Sequence, residues 1–255
     1  MVRYSANYEN GIVGANPSLG NAAPGIAART GSVVYNAEQS RGTKAIRITS
    51  SSGTSLAYVQ YGDPADLSLN STSLLASVYF YFTELPAGGF LAIYDDDSAN
   101  SRPVARLSVN YYSAYARKLF LQDAEMSTSW SSSVAVGEVE DPIPLNRWVR
   151  MELYATAAAQ NATITAAVFD GDSSVPIERL TSNVARTTAG RLARVRIGKL
   201  SESSYPTPFW VDDVLIDTEA PDATKSPYYK WNGTAYKPMS VSAWTGTDYV
   251  SVIEE

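Results

Sequence analysis

Apolar and polar side chains alternate along most of this chain with a period close to two. In the clearest run, Val149, Met151 and Leu153 fall on one face of an extended strand. The positions between them are charged, Arg150 and Glu152, and fall on the opposite face. This pattern predicts a strand with one face in a hydrophobic core and the other exposed to solvent.

Twelve runs of this kind predict β-strands, and clusters of Gly, Pro, Asn, Asp and Ser separate them. No segment shows convincing helical periodicity. Many short strands without helical crossovers favour an all-β fold, an antiparallel two-sheet jelly-roll sandwich. The predicted strands are 31–36, 44–50, 55–61, 73–83, 89–95, 103–110, 116–122, 147–157, 162–170, 176–181, 191–200 and 208–217.

Two details refine this prediction. Leu192, Val195 and Ile197 can share one face only if the alternation slips by one residue, which indicates a β-bulge. Trp148 and Trp210 lie inside strong strands, and we expect both indole rings to belong to the core.

The C-terminal segment carries a near-repeat, W-x-G-T-x-Y, at 231–236 and again at 244–249. Asn232-Gly233 favours a two-residue type I′ turn, so each copy predicts a short β-hairpin. That turn would pair Trp231 with Thr234 and Tyr229 with Tyr236, and the second copy would pair Trp244 with Thr247 and Ser242 with Tyr249. We therefore divide the chain into a jelly-roll domain, 1–220, and a hairpin tail, 221–255.

Two hairpins of this size bury too little surface to be stable alone. Something must cover their aromatic residues: the neighbouring domain, a second subunit or a ligand. We favour a subunit or tail contact without a ligand. The residues predicted for it are Tyr229, Trp231, Tyr236, Trp244 and Tyr249.

Composition excludes several functions. The chain has 20 basic and 26 acidic residues, a formal charge of −6, and no basic cluster that could follow a phosphate backbone, so we expect no nucleic-acid binding. With no Cys and no His, it has no disulfide, no Ser-His-Asp triad and no His-ligated zinc. The E-x-D-x-x-E pattern of jelly-roll glucanases is also absent, and we predict no catalytic residues.

The first residues show neither a basic nor an apolar segment of the kind found in secretion signals. No stretch approaches the roughly 18 apolar residues that a membrane span needs. We therefore expect neither a secretion signal nor membrane insertion.

Aromatic side chains outside the predicted core are candidates for sugar binding, because a pyranose ring stacks on an indole or phenol ring. Trp130 lies in a Ser/Thr-rich stretch and is the first candidate. Tyr111, Tyr112 and Tyr115 lie together between two predicted strands. The alternative for Trp130 is a loop anchor packed under its own segment.

Four short motifs occur in a familiar order: 7–11 (NYENG), 144–152 (PLNRWVRME), 194–198 (RVRIG) and 209–214 (FWVDDV). In this order they resemble the concanavalin A-like jelly rolls, which include laminin-G-like domains, legume-type lectins and many glycan-binding modules. The resemblance covers about residues 4–217. It implies a lectin-like domain, and it implies that the first and last strands are neighbours.

Several glycan-binding modules of that superfamily hold a calcium ion between a glutamate near the first strand and an aspartate of the last strand. By this resemblance Glu9 and Asp212 match those positions, which implies a structural calcium site. The alternative is that Asp212 caps backbone amides at a strand end.

The tail motif, WNGTAY at 231–236, resembles the closing segments of minor tail proteins of phages that infect actinobacteria. This resemblance implies a phage tail or tail-fibre protein, made in the host cytoplasm and carried on the virion. Implied partners are other tail proteins, further copies of the chain in a trimer, and host cell-wall glycan. The first alternative is an assembly protein without a ligand, and the second is a glycan-cleaving enzyme.

Overall fold

The computed structural model describes residues 3–19, 26–49, 55–62, 69–96, 103–111, 117–123, 143–158, 162–185, 190–200, 208–218, 229–231, 236–238, 242–244 and 249–251. Eighteen strands and no α-helix lie within these residues. Fourteen strands form two antiparallel sheets, and four form two separate hairpins. The all-β prediction is confirmed.

The eight-stranded sheet has the order β12-β11-β10-β6-β14-β4-β3, and β1 pairs with β14. The first and last strands of the sandwich are therefore neighbours, as the resemblance implied. The strands are β1 (Arg3–Ala6), β3 (Ser32–Asn36), β4 (Ala45–Thr49), β6 (Ser73–Phe82), β10 (Trp148–Thr156), β11 (Ala162–Asp170), β12 (Pro176–Ala185) and β14 (Phe209–Asp217).

The six-stranded sheet has the order β2-β5-β13-β7-β8-β9. Its pairing shifts register between Leu192 and Arg194, which confirms the predicted bulge. The strands are β2 (Ile26–Thr30), β5 (Ala57–Tyr61), β7 (Gly88–Asp95), β8 (Pro103–Tyr111), β9 (Arg117–Asp123) and β13 (Leu192–Lys199).

The hydrophobic core lies between the two sheets. Its centre is aromatic: the Phe80 and Phe82 rings stack at 5.4 Å, and the Phe90 and Phe209 rings pack against both. Val149, Met151 and Leu153 are buried in this core, as predicted.

The expectation that Arg150 and Glu152 face solvent is wrong, because both side chains are largely covered. Arg150 is 5% exposed and its guanidinium lies 4.1 Å from the Phe169 ring. Its Nε donates to Glu152 Oε1 at 3.1 Å. The side chains pack against each other along the outer face of the sheet, so alternation gives the direction of a side chain but not its exposure.

The expectation that Trp148 and Trp210 belong to the core is met in part: Trp210 is buried, at 6% exposed, and Trp148 is half-buried, but neither lies in the cluster between the sheets. Each alternates with core residues and so points away from the core. The Tyr81 ring lies between them in edge-to-face contact, 5.6 Å from Trp148 and 5.9 Å from Trp210. Trp210 donates its Nε1 proton to Asn36 Oδ1 at 2.9 Å. The two indoles form an aromatic row on the outside of the eight-stranded sheet.

The predicted tail hairpins are present as β15 (Tyr229–Trp231) with β16 (Tyr236–Pro238), and β17 (Ser242–Trp244) with β18 (Tyr249–Ser251). The predicted register is wrong. Trp231 pairs with Tyr236 and Trp244 with Tyr249, so four residues connect each pair of strands. The prediction rested on Asn-Gly in the first copy, whereas the second copy has Thr-Gly and shares the same register.

The sequence analysis missed β1 and β2, which are short strands next to segments rich in Gly, Ala, Asn and Pro. Within the described parts of the chain, no helix has the length and apolar character required to cross a bilayer.

Candidate functional site

Two places combine polar side chains from distant parts of the chain: the junction of the chain ends and the outer face of the six-stranded sheet. At the junction, β1 pairs with β14 so that Ala6 lies opposite Val214. Tyr8, which follows β1, and Asp213, which lies within β14, have positive φ angles of 56° and 43°. Non-glycine residues adopt such angles only where the surroundings require it. The loop between β3 and β4 contacts Glu9, the residue after Tyr8, and Asp213.

Asp212 is the buried carboxylate of this junction, with 1% of its surface exposed. Its Oδ2 accepts the Arg41 backbone N–H at 2.9 Å, and its Oδ1 accepts the Asp213 N–H at 2.8 Å. Burial and the nearby carboxylates of Asp213 and Glu9 raise the pKa of Asp212 to about 8, although the two amides oppose this. A proton or a cation would relieve this accumulation of negative charge.

Glu9 binds the same loop. Its carboxylate accepts the Thr43 N–H at 3.0 Å and the Thr43 hydroxyl, and its carbonyl accepts Lys44 Nζ at 2.6 Å. Gly42 lies close against this carboxylate: a Cβ on that residue would lie 2.1 Å from Glu9 Oε1, so the Glu9 side chain would have to move. The structure thus brings the predicted pair, Glu9 and Asp212, to one loop.

The donors that meet these two carboxylates are N–H and O–H groups, which is the arrangement of the capping alternative. Calcium requires six to eight oxygen ligands. Among the described residues, no three His, Cys, Asp or Glu side chains form a group that could hold a metal. The described residues therefore do not complete a calcium shell, and the calcium site at Glu9 and Asp212 stays a prediction.

Arg41 closes the outer side of the junction. Its Nε donates to Asp213 and its Nη2 to Asp172, both at 2.7 Å, and its guanidinium lies 3.6 Å from the Tyr79 ring centre. Tyr79 donates its hydroxyl to the same Asp172 oxygen at 2.6 Å. Burial lowers the pKa of Arg41, but Tyr79 and the two carboxylates together raise it. This closed network has a structural role.

The outer face of the six-stranded sheet carries a row of long polar side chains. Gln60, Arg196, Arg106 and Gln122 come from β5, β13, β8 and β9; the first three each lie between two core residues, and Gln122 follows the core residue Leu121. The register places Gln60 opposite Arg196, and both Arg196 and Arg106 opposite Ala92 of β7. The row therefore crosses five neighbouring strands. We call it the arginine–glutamine row.

One half of the row is centred on Arg106. Its Nε donates to Gln122 Oε1 at 2.7 Å, its Nη2 donates to the same oxygen, and Ser108 Oγ donates to it at 3.2 Å. Burial lowers the pKa of Arg106 to about 10, while the nearby Tyr94 raises it, so the guanidinium is still charged at neutral pH. Arg106, Ser108 and Gln122 are each at most 3% exposed although they point away from the core.

The other half of the row is centred on Arg196, which is only partly buried. Its Nε donates to Gln60 Oε1 at 2.8 Å. The guanidinium lies 4.9 Å from the Tyr58 ring centre and 4.5 Å from that of Tyr94. Burial raises the pKa of the Tyr94 hydroxyl, while Arg196 and Arg106 lower it.

Small residues on β7 make room for these side chains. A Cβ on Gly89 would lie 2.7 Å from Arg106 Cδ, so only glycine lets this arginine lie flat across the strand. Ala92, between the two arginines, is the other small residue. Ala92 is fully buried, as is most of Arg106, so the space between the two arginines is filled.

Most of the predicted glycan-binding residues cannot be placed. Trp130, Tyr112 and Tyr115 lie outside the described residues, and Tyr111 ends β8, opposite Arg117, with its side chain outside what is described. The same holds for the side chains of the hairpin residues. Trp130, Tyr112 and Tyr115 belong to the chain segments that follow β8 and β9, the strands that carry Arg106 and Gln122.

The sequence analysis missed the arginine–glutamine row. The available signal was a single Arg or Gln between two apolar residues in three strands, V-Q-Y at 59–61, A-R-L at 105–107 and V-R-I at 195–197, and a Gln after one apolar residue in a fourth, L-Q at 121–122. Nothing in the sequence shows that these strands lie close together in one sheet, because β5 and β13 are far apart in the chain.

The sequence matches no protein-family model, and none of the curated proteins is similar in sequence. Solved structures share its fold. The calcium-bound exoplasmic/lumenal domain of VIP36 is 11% identical with a TM-score of 0.51, covering 88% of this chain and 94% of that one.

Two further structures have a TM-score of 0.50. One is a carbohydrate esterase of the Shiga toxin-encoding bacteriophage phi24B, 13% identical, with 85% of this chain and 98% of that chain covered. The other is the cellulose-induced protein Cip1, 10% identical, with 84% and 97% covered. This chain therefore has a lectin-like jelly-roll fold.

Proposed function

We propose that this protein is a tail or tail-fibre component of a phage that infects actinobacteria, and that its jelly roll binds host cell-surface glycan without cleaving it. The arginine–glutamine row carries the binding part of the proposal. Arg106, Ser108 and Gln122 of this row are buried, whereas Arg196 is partly exposed and its guanidinium lies 4.9 Å from the partly exposed Tyr58 ring. Such a set can bond sugar hydroxyls while the rings stack on sugar faces.

Two further observations support the proposal. The W-x-G-T-x-Y repeat of the tail resembles phage minor tail proteins, and a carbohydrate esterase with the same fold comes from a bacteriophage. On this proposal the hairpin tail joins further copies of the chain, as a trimer, or other tail proteins. Glu9 and Asp212 would then be the place for a structural calcium ion.

The first experiment measures binding of the purified protein to isolated actinobacterial cell-wall glycans, with and without EDTA. We expect saturable binding that weakens in Trp130→Ala and in Arg196→Ala, and no release of new reducing ends. Sensitivity to EDTA would support calcium at Glu9 and Asp212. Absence of binding to every wall fraction would leave an assembly protein without a ligand.

A second experiment concerns the tail. We expect the full chain to form a trimer by light scattering and a chain ending at residue 220 to be a folded monomer. A trimer that survives the truncation would show that the hairpins do not make the subunit contact.

A further inference from the structure

The strand β12 forms one edge of the eight-stranded sheet. It has ten residues, and among the described strands it pairs with β11 alone. An edge strand leaves every second residue's backbone N–H and C=O groups without a partner in the sheet. Those groups can pair with a strand of another molecule, so an open edge favours unwanted association.

The opposite edge of the same sheet, β3, is covered by main chain. The Gly14 N–H donates to the Tyr35 carbonyl at 2.8 Å, and the Tyr35 N–H donates to the Ala15 carbonyl at 2.9 Å. The segment that follows β1 therefore occupies the edge groups of β3. Among the described residues, no comparable main-chain bond reaches the edge of β12.

Large apolar side chains lie beside the β12 edge. Val175, directly before the strand, is 70% exposed, and Ile177, its second residue, is 49% exposed. Exposed apolar side chains next to unpaired backbone groups are the combination through which strands of separate molecules associate. This edge therefore needs protection of another kind than β3 has.

Two backbone features protect the start of the strand. Pro176 is its first residue and has no N–H to offer a further strand. Val168 pairs with Glu178 and Phe169 with Pro176, so Ile177 is the extra residue of a β-bulge. A bulge bends the strand locally and interrupts regular pairing with a neighbour.

Glu178 protects the next position with its side chain. Its pairing partner Val168 and the nearby Leu180 both belong to the core, so alternation places Glu178 on the core-facing side of the strand. The carboxylate nevertheless reaches the backbone, and its Oε1 accepts the Arg179 N–H at 3.0 Å. Because this N–H bonds a side chain and not β11, it belongs to the open edge.

We infer that Glu178 keeps the β12 edge from pairing with a second copy of the chain. A strand that approached this edge would find the Arg179 N–H already bonded. It would also have to cover a carboxylate that has lost its only described donor, which costs free energy. Two copies joined edge to edge would bring two such carboxylates into one contact. The inference does not depend on any ligand.

The test is the variant Glu178→Val, which removes the carboxylate and keeps a side chain that suits a strand. Sedimentation velocity of the full chain over a range of concentrations compares its mass with that of the wild type. We expect the weight-average mass at the highest concentration to be at least about twice the wild-type value, because each freed edge pairs with another.

A second substitution shows whether the backbone makes the contact. Arg179→Pro, added to Glu178→Val, removes the N–H that the first change frees. Proline is accepted at an edge position whose N–H does not serve the sheet, so we expect the wild-type mass to return. The matched control, Thr181→Val, adds the same side chain at an exposed position of β12, leaves Glu178 in place and should keep the wild-type mass.

A measurement on the wild type needs no variant. Bonded to Glu178, the Arg179 amide should exchange with solvent at least about tenfold more slowly than an amide of an unstructured peptide. Circular dichroism shows whether each variant is folded, and Glu178→Ala is the smaller change to use if Glu178→Val does not fold.

Three results would overturn the inference. The first is an unprotected Arg179 amide in the wild type, and the second is a folded Glu178→Val chain with wild-type mass. The third is an increase in mass that Arg179→Pro leaves unchanged or that Thr181→Val reproduces, because apolar side chains and not backbone pairing would then make the contact.

Discussion

The outer faces of the two sheets use arginine in different ways. On the eight-stranded sheet, Arg41 bonds Asp213 and Asp172, and Arg150 bonds Glu152. On the six-stranded sheet, Arg106 and Arg196 bond glutamine side chains. An arginine that bonds a carboxylate joins strands and loops, and the carboxylate offsets its positive charge. The glutamine oxygens instead position Arg106 and Arg196 across neighbouring strands of the sheet.

The largest expected effect comes from removing the main link on the eight-stranded side. Arg41→Ala leaves the carboxylates of Asp213 and Asp172 without their guanidinium and uncovers the Tyr79 ring. We expect a loss of about 2 kcal/mol in the free energy of unfolding, measured by urea denaturation. The control, Arg179→Ala, removes an exposed arginine from the same sheet and should cost less than about 0.5 kcal/mol. Equal losses of unfolding free energy in the two variants would show that Arg41 stabilises the fold no more than an ordinary surface arginine does.

A smaller effect is expected on the six-stranded side, where Gly89 lies against the buried Arg106 side chain. Gly89→Ala places a Cβ 2.7 Å from Arg106 Cδ, so the arginine must move. We expect a loss of about 1 kcal/mol in the free energy of unfolding, with little further loss when the change is added to Arg106→Gln. Additive losses in this double-mutant cycle, measured by calorimetry, would mean that Gly89 acts independently of Arg106.

The smallest expected effect is a pH dependence of the junction. In the folded chain the pKa of Asp212 is raised from 3.8 to about 8, so the folded state keeps a proton that the unfolded chain releases. This contribution is complete below the ordinary pKa of an aspartate and is lost as pH rises through about 8. We expect the wild-type Tm to fall by a few degrees between about pH 5 and pH 9, relative to Asp212→Asn.

The same Tm measurements are repeated with added calcium and with EDTA. A cation at Glu9 and Asp212 favours the ionised carboxylate, so added calcium should raise the wild-type Tm at high pH and flatten the difference from Asp212→Asn. An identical profile in calcium and in EDTA would assign the two carboxylates to amide capping alone.

The fold was predictable because core residues alternate regularly with outward-facing residues along its strands. Alternation identified Val149, Met151 and Leu153 as core residues, and the slip at Leu192 identified the bulge. The environment of outward-facing residues was not predictable. Arg150 and Trp210 both point outward, yet contacts with neighbouring strands cover them, and sequence spacing does not reveal which strands are neighbours.

The candidate site was predictable to a smaller extent. Glu9 and Asp212 were placed together by the resemblance, and the structure brings them to one loop. The arginine–glutamine row depends on pairings between β5 and β13 and between β7 and β13, whose partners lie about 100 residues or more apart in the chain. No local pattern encodes such pairings, so the row becomes visible only in the folded protein.

The pairing of β1 with β14 also brings the first and last strands of the jelly roll together. Arg3 lies opposite Asp217, so the polypeptide enters and leaves the sandwich at one point, roughly 5 Å apart. A domain with adjacent entry and exit can be inserted into a surface loop of another protein, or replaced by a jelly roll of different specificity, without separating the two flanking segments. The two flanking segments therefore stay side by side whichever sandwich lies between them.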